Sequence, residues 1–415
     1  MAIAKPFCGL RPKPDLASVV VSPPYDVLSS EEARRMVQDN PDSFLRVNKP
    51  EVDFPDTTSL YSNKVYERGR KNLLHLIDDG KLTRDLTPCL YLYRLSIGDR
   101  QQTGLAALTS VDEYEKGLIK KHEHTRPEKV SDRADHIMTL KAQVGPVFSI
   151  FRHSAEVAGL FDQLTSAEPE VDFVADDKVR HRLWVISQSE SVARIQSAFS
   201  RIPELYIADG HHRSEAAAEV RRRVRAEGPD SAPQPPYDFF LNVIFPDDEV
   251  CILPYNRVVS GMDSMPPDAL LEKLRGSFDL SPVDEAVVPD RPYVVGMYYQ
   301  RQWYRLPFKN ETVNRDHPVE SIDSAVLTYA VLDPILGITD IRADKRIGFV
   351  GGSRGVAELE RLVNSGAFEL AFSLYPATVE QLLQVADAGD VMPPKSTWFE
   401  PKLRSGMIVN LLDTQ

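Results

Sequence analysis

Residues 205–215 read Leu-Tyr-Ile-Ala-Asp-Gly-His-His-Arg-Ser-Glu, an apolar run that passes through a polar turn into a helix. Leu205, Tyr206, Ile207 and Ala208 have the length and character of a buried strand end. The helix is expected from about His212 to Ala226. A strand feeding directly into a helix is one unit of an α/β layer structure. The junction also carries chemistry. A helix N-terminus offers unpaired backbone N–H groups and the positive end of the helix dipole, which together favour phosphate. Gly210 lets the backbone turn and approach a ligand closely. Arg213 can grip phosphate oxygens in a fork, and His211 and His212 can add donors. Asp209, at the strand end, can hold a metal ion or orient a histidine.

Around this junction the chain alternates helix and strand. Ser29 or Ser30 is expected to cap a helix whose first turn holds Glu31 and Glu32, as the dipole prefers. A helix from about Leu60 to Asp78 ends at Gly80. Leu90 to Ile97 and Thr103 to Val111 read as a hairpin around Gly98-Asp99. A helix over 126–143, a strand over 147–151, a strand over 183–186 and a helix over 190–199 lead to the Asp-Gly-His-His-Arg turn. Residues 228–236 (GPDSAPQPP) read as a surface loop. Strands follow at 239–245 and 250–253. Further on come a hairpin over 293–299 and 303–306, an apolar helix over 322–332, strands at 346–350 and 369–374, and a helix over 378–388. We read three sections: an N-terminal α/β section over 1–110, a core over 111–260 and a C-terminal α/β section over 261–415.

The 415 residues carry a net charge of −12, from 49 basic against 61 acidic side chains. That balance argues against gripping nucleic acid as the main task. Cys8, Cys89 and Cys251 form no CxxC pair, which suits a reducing cytoplasm and gives no zinc motif. Met1 to Leu10 holds no long apolar run, and no stretch approaches the roughly 20 apolar residues of a membrane span. The expectation is a cytoplasmic protein with no nucleic-acid or membrane partner.

Two further stretches hold reactive groups. In Lys120-Lys121-His122-Glu123-His124-Thr125-Arg126, the basic neighbours favour the ionised form of Glu123. A carboxylate held so can take a proton from a substrate hydroxyl. His122 and His124 raise metal binding, but no third and fourth ligand follows at a diagnostic spacing. In Met392-Pro393-Pro394-Lys395-Ser396-Thr397-Trp398-Phe399-Glu400-Pro401-Lys402, a lysine and two hydroxyls after a Pro-Pro turn can hold a carboxylate or phosphate. The glycine-rich run Gly348 to Gly355 (GFVGGSRG) lacks the P-loop pattern and reads as a turn.

The box Ala208-Asp209-Gly210-His211-His212-Arg213, with His122-Glu123 upstream and Pro394-Lys395-Ser396-Thr397 near the end, resembles a widespread family catalogued as a domain of unknown function. Pro23-Pro24-Tyr25-Asp26-Val27 and His181-Arg182-Leu183-Trp184 fit it too, so the resemblance spans nearly the whole chain. The same three elements, in the same order, resemble the free L-serine kinases of the ParB/sulfiredoxin-like fold. That resemblance implies a mixed α/β chain with a ParB/sulfiredoxin-like nucleotide-binding core. It implies that Gly210, His211, His212 and Arg213 receive nucleotide phosphates and that Glu123 is the catalytic carboxylate. Lys395, Ser396 and Thr397 would help hold the amino acid, Ser396 standing where the kinases have threonine. Tyr255 or Asn256 would stand where they place a substrate-contacting tryptophan. The N-terminal section has no counterpart in the kinases. Sulfiredoxins need a cysteine in the equivalent turn, where this chain has His211, and we find no helix-turn-helix of the ParB type.

The expected activity is phosphoryl transfer from ATP or ADP to the hydroxyl of L-serine. Mg²⁺ would bridge the phosphates, with Asp209 nearby. A nucleotide-binding switch with little catalysis, and a kinase or hydrolase for another metabolite, are the alternatives.

Overall fold

The computed structural model describes residues 2–228, 234–262 and 265–412. The loop expected over 228–236 lies largely outside the described residues. The chain divides into two compact units. The first comprises residues 1–121, 125–250 and 401–415, and the second residues 122–124 and 251–400. Both combine sheet and helix, so the chain is a mixed α/β protein.

The first unit is built on an eight-stranded mixed sheet. Its strands run in the order Ile119–Lys120, Leu205–Asp209, Val147–Phe151, Phe239–Pro246, Arg100–Ser110, Leu90–Ile97, Arg180–Ile186 and Val171–Val174. Val147–Phe151 and Phe239–Pro246 pair in parallel and are buried at every position. Both therefore read as continuous apolar runs, the pattern of a strand covered on both faces. Val157, Phe161, Ile195, Phe199, Ala217 and Ala218 bring helices onto the sheet residues Leu105, Ala107, Phe151 and Ile207. A separate apolar layer joins Leu10, Val20, Phe44, Leu73, Leu76 and Leu140. The helix Pro127–Leu140 packs on His211–Glu227 through Ala134, Ile137, Ala216 and Val220.

Local sequence signals set many of these ends. Ser29 accepts from the Glu32 amide and Glu32 answers the Ser29 amide, a capping box. Leu90–Ile97 and Arg100–Ser110 turn at Gly98-Asp99 as expected, with Gly98 at φ 54°.

The second unit holds a six-stranded sheet, antiparallel throughout. Its order is Ser281–Val283, Gln302–Pro307, Val294–Tyr299, Leu370–Ser373, Tyr255–Val259 and Ile347–Gly351. Neighbouring residues alternate between its two apolar layers: Val258 and Tyr298 enter one, Val259, Met297 and Tyr299 the other. Two expectations change here. The apolar helix read over 322–332 is an α-helix, Asp323–Leu327, followed by a π-helical turn, Thr328–Leu332. The glycine-rich run at 348–355 ends a strand and opens the helix Gly355–Asn364, which glycine content alone concealed. Among the described residues, no helix is long and apolar enough to cross a membrane.

Candidate functional site

In the first unit, the strand Leu205–Asp209 pairs with Val147–Phe151 until its register shifts between Ile207 and Asp209. A bulge of this kind bends a strand and re-aims the residue that follows. Gly210 then caps the helix His211–Glu227 at φ 95°, ψ 29°, a conformation that side-chain-bearing residues rarely adopt. Its carbonyl accepts the amides of Arg213, at 2.8 Å, and Ser214, at 3.0 Å. Arg213 folds back over this glycine. A Cβ at position 210 would sit 2.9 Å from Arg213 Nε and 3.0 Å from its Cζ.

The guanidinium is held from several sides. Nη1 donates to the Pro146 carbonyl. Nη2 lies 3.5 Å from Asp209 Oδ2 and 3.9 Å from Asp26 Oδ2. Burial would lower the Arg213 pKa, but the fields of Asp209 and Asp26 outweigh it and leave it raised, so the cation persists. Its Nε is buried without a hydrogen-bond partner. Lys402 Nζ reaches Asp209 Oδ2 at 3.2 Å. His211 is buried, and His212 Nε2 accepts the Arg126 amide at 3.1 Å, which fixes the proton of a neutral ring on Nδ1. Beside this turn, Arg133 stacks 4.4 Å over the Tyr25 ring. Arg213, Arg133, Tyr25 and Asn48 line one cavity, and Asn48 Nδ2 is also buried without a partner.

Asp209 and Asp26 balance Arg213 and Lys402, so the cluster is near neutral. A polyphosphate would meet the helix dipole and buried donors rather than a surplus of cations. Among the described residues no three or more His, Cys, Asp or Glu groups gather as a metal site. One or two carboxylates, with the remaining ligands from phosphate and water, is the donor set Mg²⁺ takes in nucleotide sites. Asp209 is the carboxylate the sequence offered for that role, and here it faces Lys402 and Arg213.

The other expected residues lie in the second unit. The His122 carbonyl accepts the Met392 amide at 2.8 Å, and His122 Nε2 lies 3.4 Å from Thr397 Oγ1. The stretch carrying Glu123 is thereby tied to the 392–397 turn. Ser396 is buried. Its hydroxyl donates to the Pro393 carbonyl at 2.7 Å and meets Ser324 Oγ at 2.8 Å. Its donor therefore braces the turn. Lys395 is exposed at the tip with φ 61°, and its Nζ stands 5.7 Å from the Tyr255 ring centre. A left-handed lysine costs about 1 kcal/mol relative to glycine, which the Ser396 bonds help offset.

Tyr255 packs edge-on to Trp398 at 5.2 Å and keeps part of its surface in solvent. Asn256 is 3% exposed and accepts the Leu374 amide at 3.0 Å, an internal contact of the sheet. A pocket of about 260 Å³ opens beside this turn, lined in part by His124, Tyr329, Arg342, Pro393 and Pro394.

The sequence reading missed three participants. Lys402 fell inside a stretch already singled out. Asp26 was noted only as part of a family motif. Arg257 had one signal: a charged residue in the centre of a short strand, Tyr-Asn-Arg-Val-Val. It is 0% exposed.

The fold is mixed α/β, and the Asp209–Arg213 turn opens a helix with a buried arginine over its glycine cap. Residues 4–325 match the family described as "Protein of unknown function (DUF1015)", and the chain belongs to that family. No curated protein matches the chain. Among solved structures, a conserved hypothetical protein from Pyrococcus furiosus is similar at 13% identity and a TM-score of 0.36, over 74% of this chain and 95% of that one. A free serine kinase in complex with AMP is similar at 13% identity and a TM-score of 0.36, over 71% and 86%. SbnI with a C-terminal truncation, from Staphylococcus aureus, is similar at 12% identity and a TM-score of 0.37, over 74% and 87%.

Proposed function

We propose that the protein is a small-molecule kinase that transfers phosphate from ATP or ADP to the hydroxyl of free L-serine, giving O-phosphoserine. One observation carries the reading. The Asp209–Arg213 turn is a helix start capped by a left-handed glycine, with a buried arginine wrapped over it and one of its donors unused. That is the construction a phosphate group needs.

In this reading Gly210, His211, His212 and Arg213 hold the donor phosphates. Asp209 would hold Mg²⁺ there, and the ion would supply neutralisation of the phosphate charge. Glu123 takes the serine hydroxyl proton as the Oγ–P bond forms and the bond to the departing nucleotide breaks. Lys395 and Thr397 hold the serine carboxylate or the phosphate in transfer, and Ser396 shapes their turn. Tyr255 walls the acceptor. Catalysis is then mostly positioning and charge neutralisation.

The test is phosphoryl transfer with purified protein, Mg²⁺, ATP or ADP, and L-serine, following O-phosphoserine by mass spectrometry. Glu123→Gln is expected to lose roughly 10²–10⁴ in turnover while nucleotide binding survives. Unchanged turnover removes Glu123 from the mechanism. Nucleotide binding with no product from either donor moves the reading to a nucleotide-dependent switch or another acceptor.

A further inference from the structure

We infer that Arg257 is a positioning residue for Glu123: its buried guanidinium clamps the Pro393–Thr397 turn to which the His122–Glu123 stretch is tied. The inference rests on Glu123 being the base.

Arg257 lies in the strand Tyr255–Val259 with no exposed surface. A guanidinium removed from water is costly unless its donors and its charge are both answered. Nη1 donates to the Tyr255 carbonyl at 2.6 Å, and Nη2 to the Pro394 carbonyl at 3.4 Å. Its carbon stands 4.8 Å from the Phe349 ring centre and 5.9 Å from that of Tyr255. Nε is buried without a hydrogen-bond partner. Two carbonyls and two rings are neutral partners, so they answer the donors and leave the charge. The carboxylate whose field acts on it is Glu123. Burial pushes the Arg257 pKa down to about 10, with Tyr255 and Glu123 opposing, so it stays charged at neutral pH.

The turn connects the two groups. Arg257 holds Pro394, and His122 is bound at both Met392 and Thr397. Glu123 follows His122 directly, so a shift of the turn shifts the base. His122 and His124 flank Glu123 in sequence, and Lys395 lies on the turn. Lys395 and His124 are exposed and screened by solvent, whereas Arg257 is not. A rigid fork that contacts a carbonyl through each of two nitrogens is a task lysine does less well.

The experiment follows the Glu123 carboxyl by ¹³C NMR across pH, assigned by difference from Glu123→Gln, in the wild-type protein, Arg257→Met and Arg257→Lys. Turnover is measured alongside. In Arg257→Met the Glu123 titration and the acid limb of the rate profile are expected to move up together by roughly one pH unit. Arg257→Lys restores the titration but raises the acceptor KM, because the charge returns without both carbonyl bonds. An unmoved Glu123 titration in folded Arg257→Met overturns the inference. If Arg257→Met does not fold, Arg257→Lys decides: an unchanged acceptor KM overturns the clamp. A shifted titration in a protein that transfers no phosphate keeps the Arg257–Glu123 coupling and removes the kinase reading.

Discussion

Gly210→Ala puts the construction of the Asp209–Arg213 turn to a quantitative test. The substitution adds one methyl group at φ 95°, where left-handed backbone costs an L side chain about 1–2 kcal/mol. The new Cβ also lands 2.9–3.1 Å from the Arg213 guanidinium. That group is the end of a long side chain and can move, but movement strains its bond to the Pro146 carbonyl. A charge-assisted bond of this kind is worth about 1.5–3 kcal/mol if lost outright. The expected destabilisation of the first unit is therefore about 1–2 kcal/mol if Arg213 yields freely, and about 2.5–5 kcal/mol if the bond breaks. Trp184 lies in the first unit, and Trp303 and Trp398 in the second. Replacing the last two with Phe leaves Trp184 fluorescence to report urea unfolding of the first unit alone. Arg213→Met in a double-mutant cycle separates the terms, since it relieves the contact and leaves the backbone strain. A Gly210→Ala change within about 0.5 kcal/mol, the range of an ordinary surface substitution, refutes the argument.

The two units are expected to respond to pH with opposite signs. In the first, burial, then the charges of Arg133 and Arg404 respectively, push His136 and His181 from 6.5 down to about 3. Below pH 6.5 the unfolded chain takes up protons that the folded unit refuses. Stability therefore falls by about 1.4 kcal/mol per pH unit per histidine down to about pH 3. Urea midpoints of the Trp184 reporter at pH 7, 6 and 5 measure this; a flat midpoint in His136→Asn/His181→Gln and a sloping one in the parent is the expected pair. In the second unit, burial raises Asp323 from 3.8 to about 7. The folded unit keeps a proton that the unfolded chain releases, so this stabilisation is complete below pH 3.8 and is lost as pH rises to about 7. Asp323→Asn, which keeps the acceptor for the Tyr293 amide, is expected to remove that decline in a protein whose only tryptophan is Trp303. An unchanged slope counts against it.

Much of the local structure was legible because it depends on neighbours in sequence. The strand 205–208, the glycine and the helix after it follow from an apolar run, a residue free to turn left-handed and a long helix-compatible stretch. The Ser29–Glu32 capping box is a three-residue pattern. Reading failed where one pattern fits two outcomes. Apolar residues over 322–332 suit a helix of either winding, and the structure divides them between an α-helix and a π-helical turn.

The sequence by itself determined a mixed α/β chain of a family catalogued as a domain of unknown function, and a strand, a glycine and a helix over residues 205–227. Tertiary structure decided which partners those residues have. Asp209 meets Lys402 from 193 positions away, and Arg213 meets Asp26 from the N-terminal motif. Arg257 is wholly buried because its strand lies inside a six-stranded antiparallel sheet. Such contacts exist only once the sheet has closed. No short window of sequence encodes them, because strand pairing is set by the burial of the whole sheet and not by the preference of any single residue.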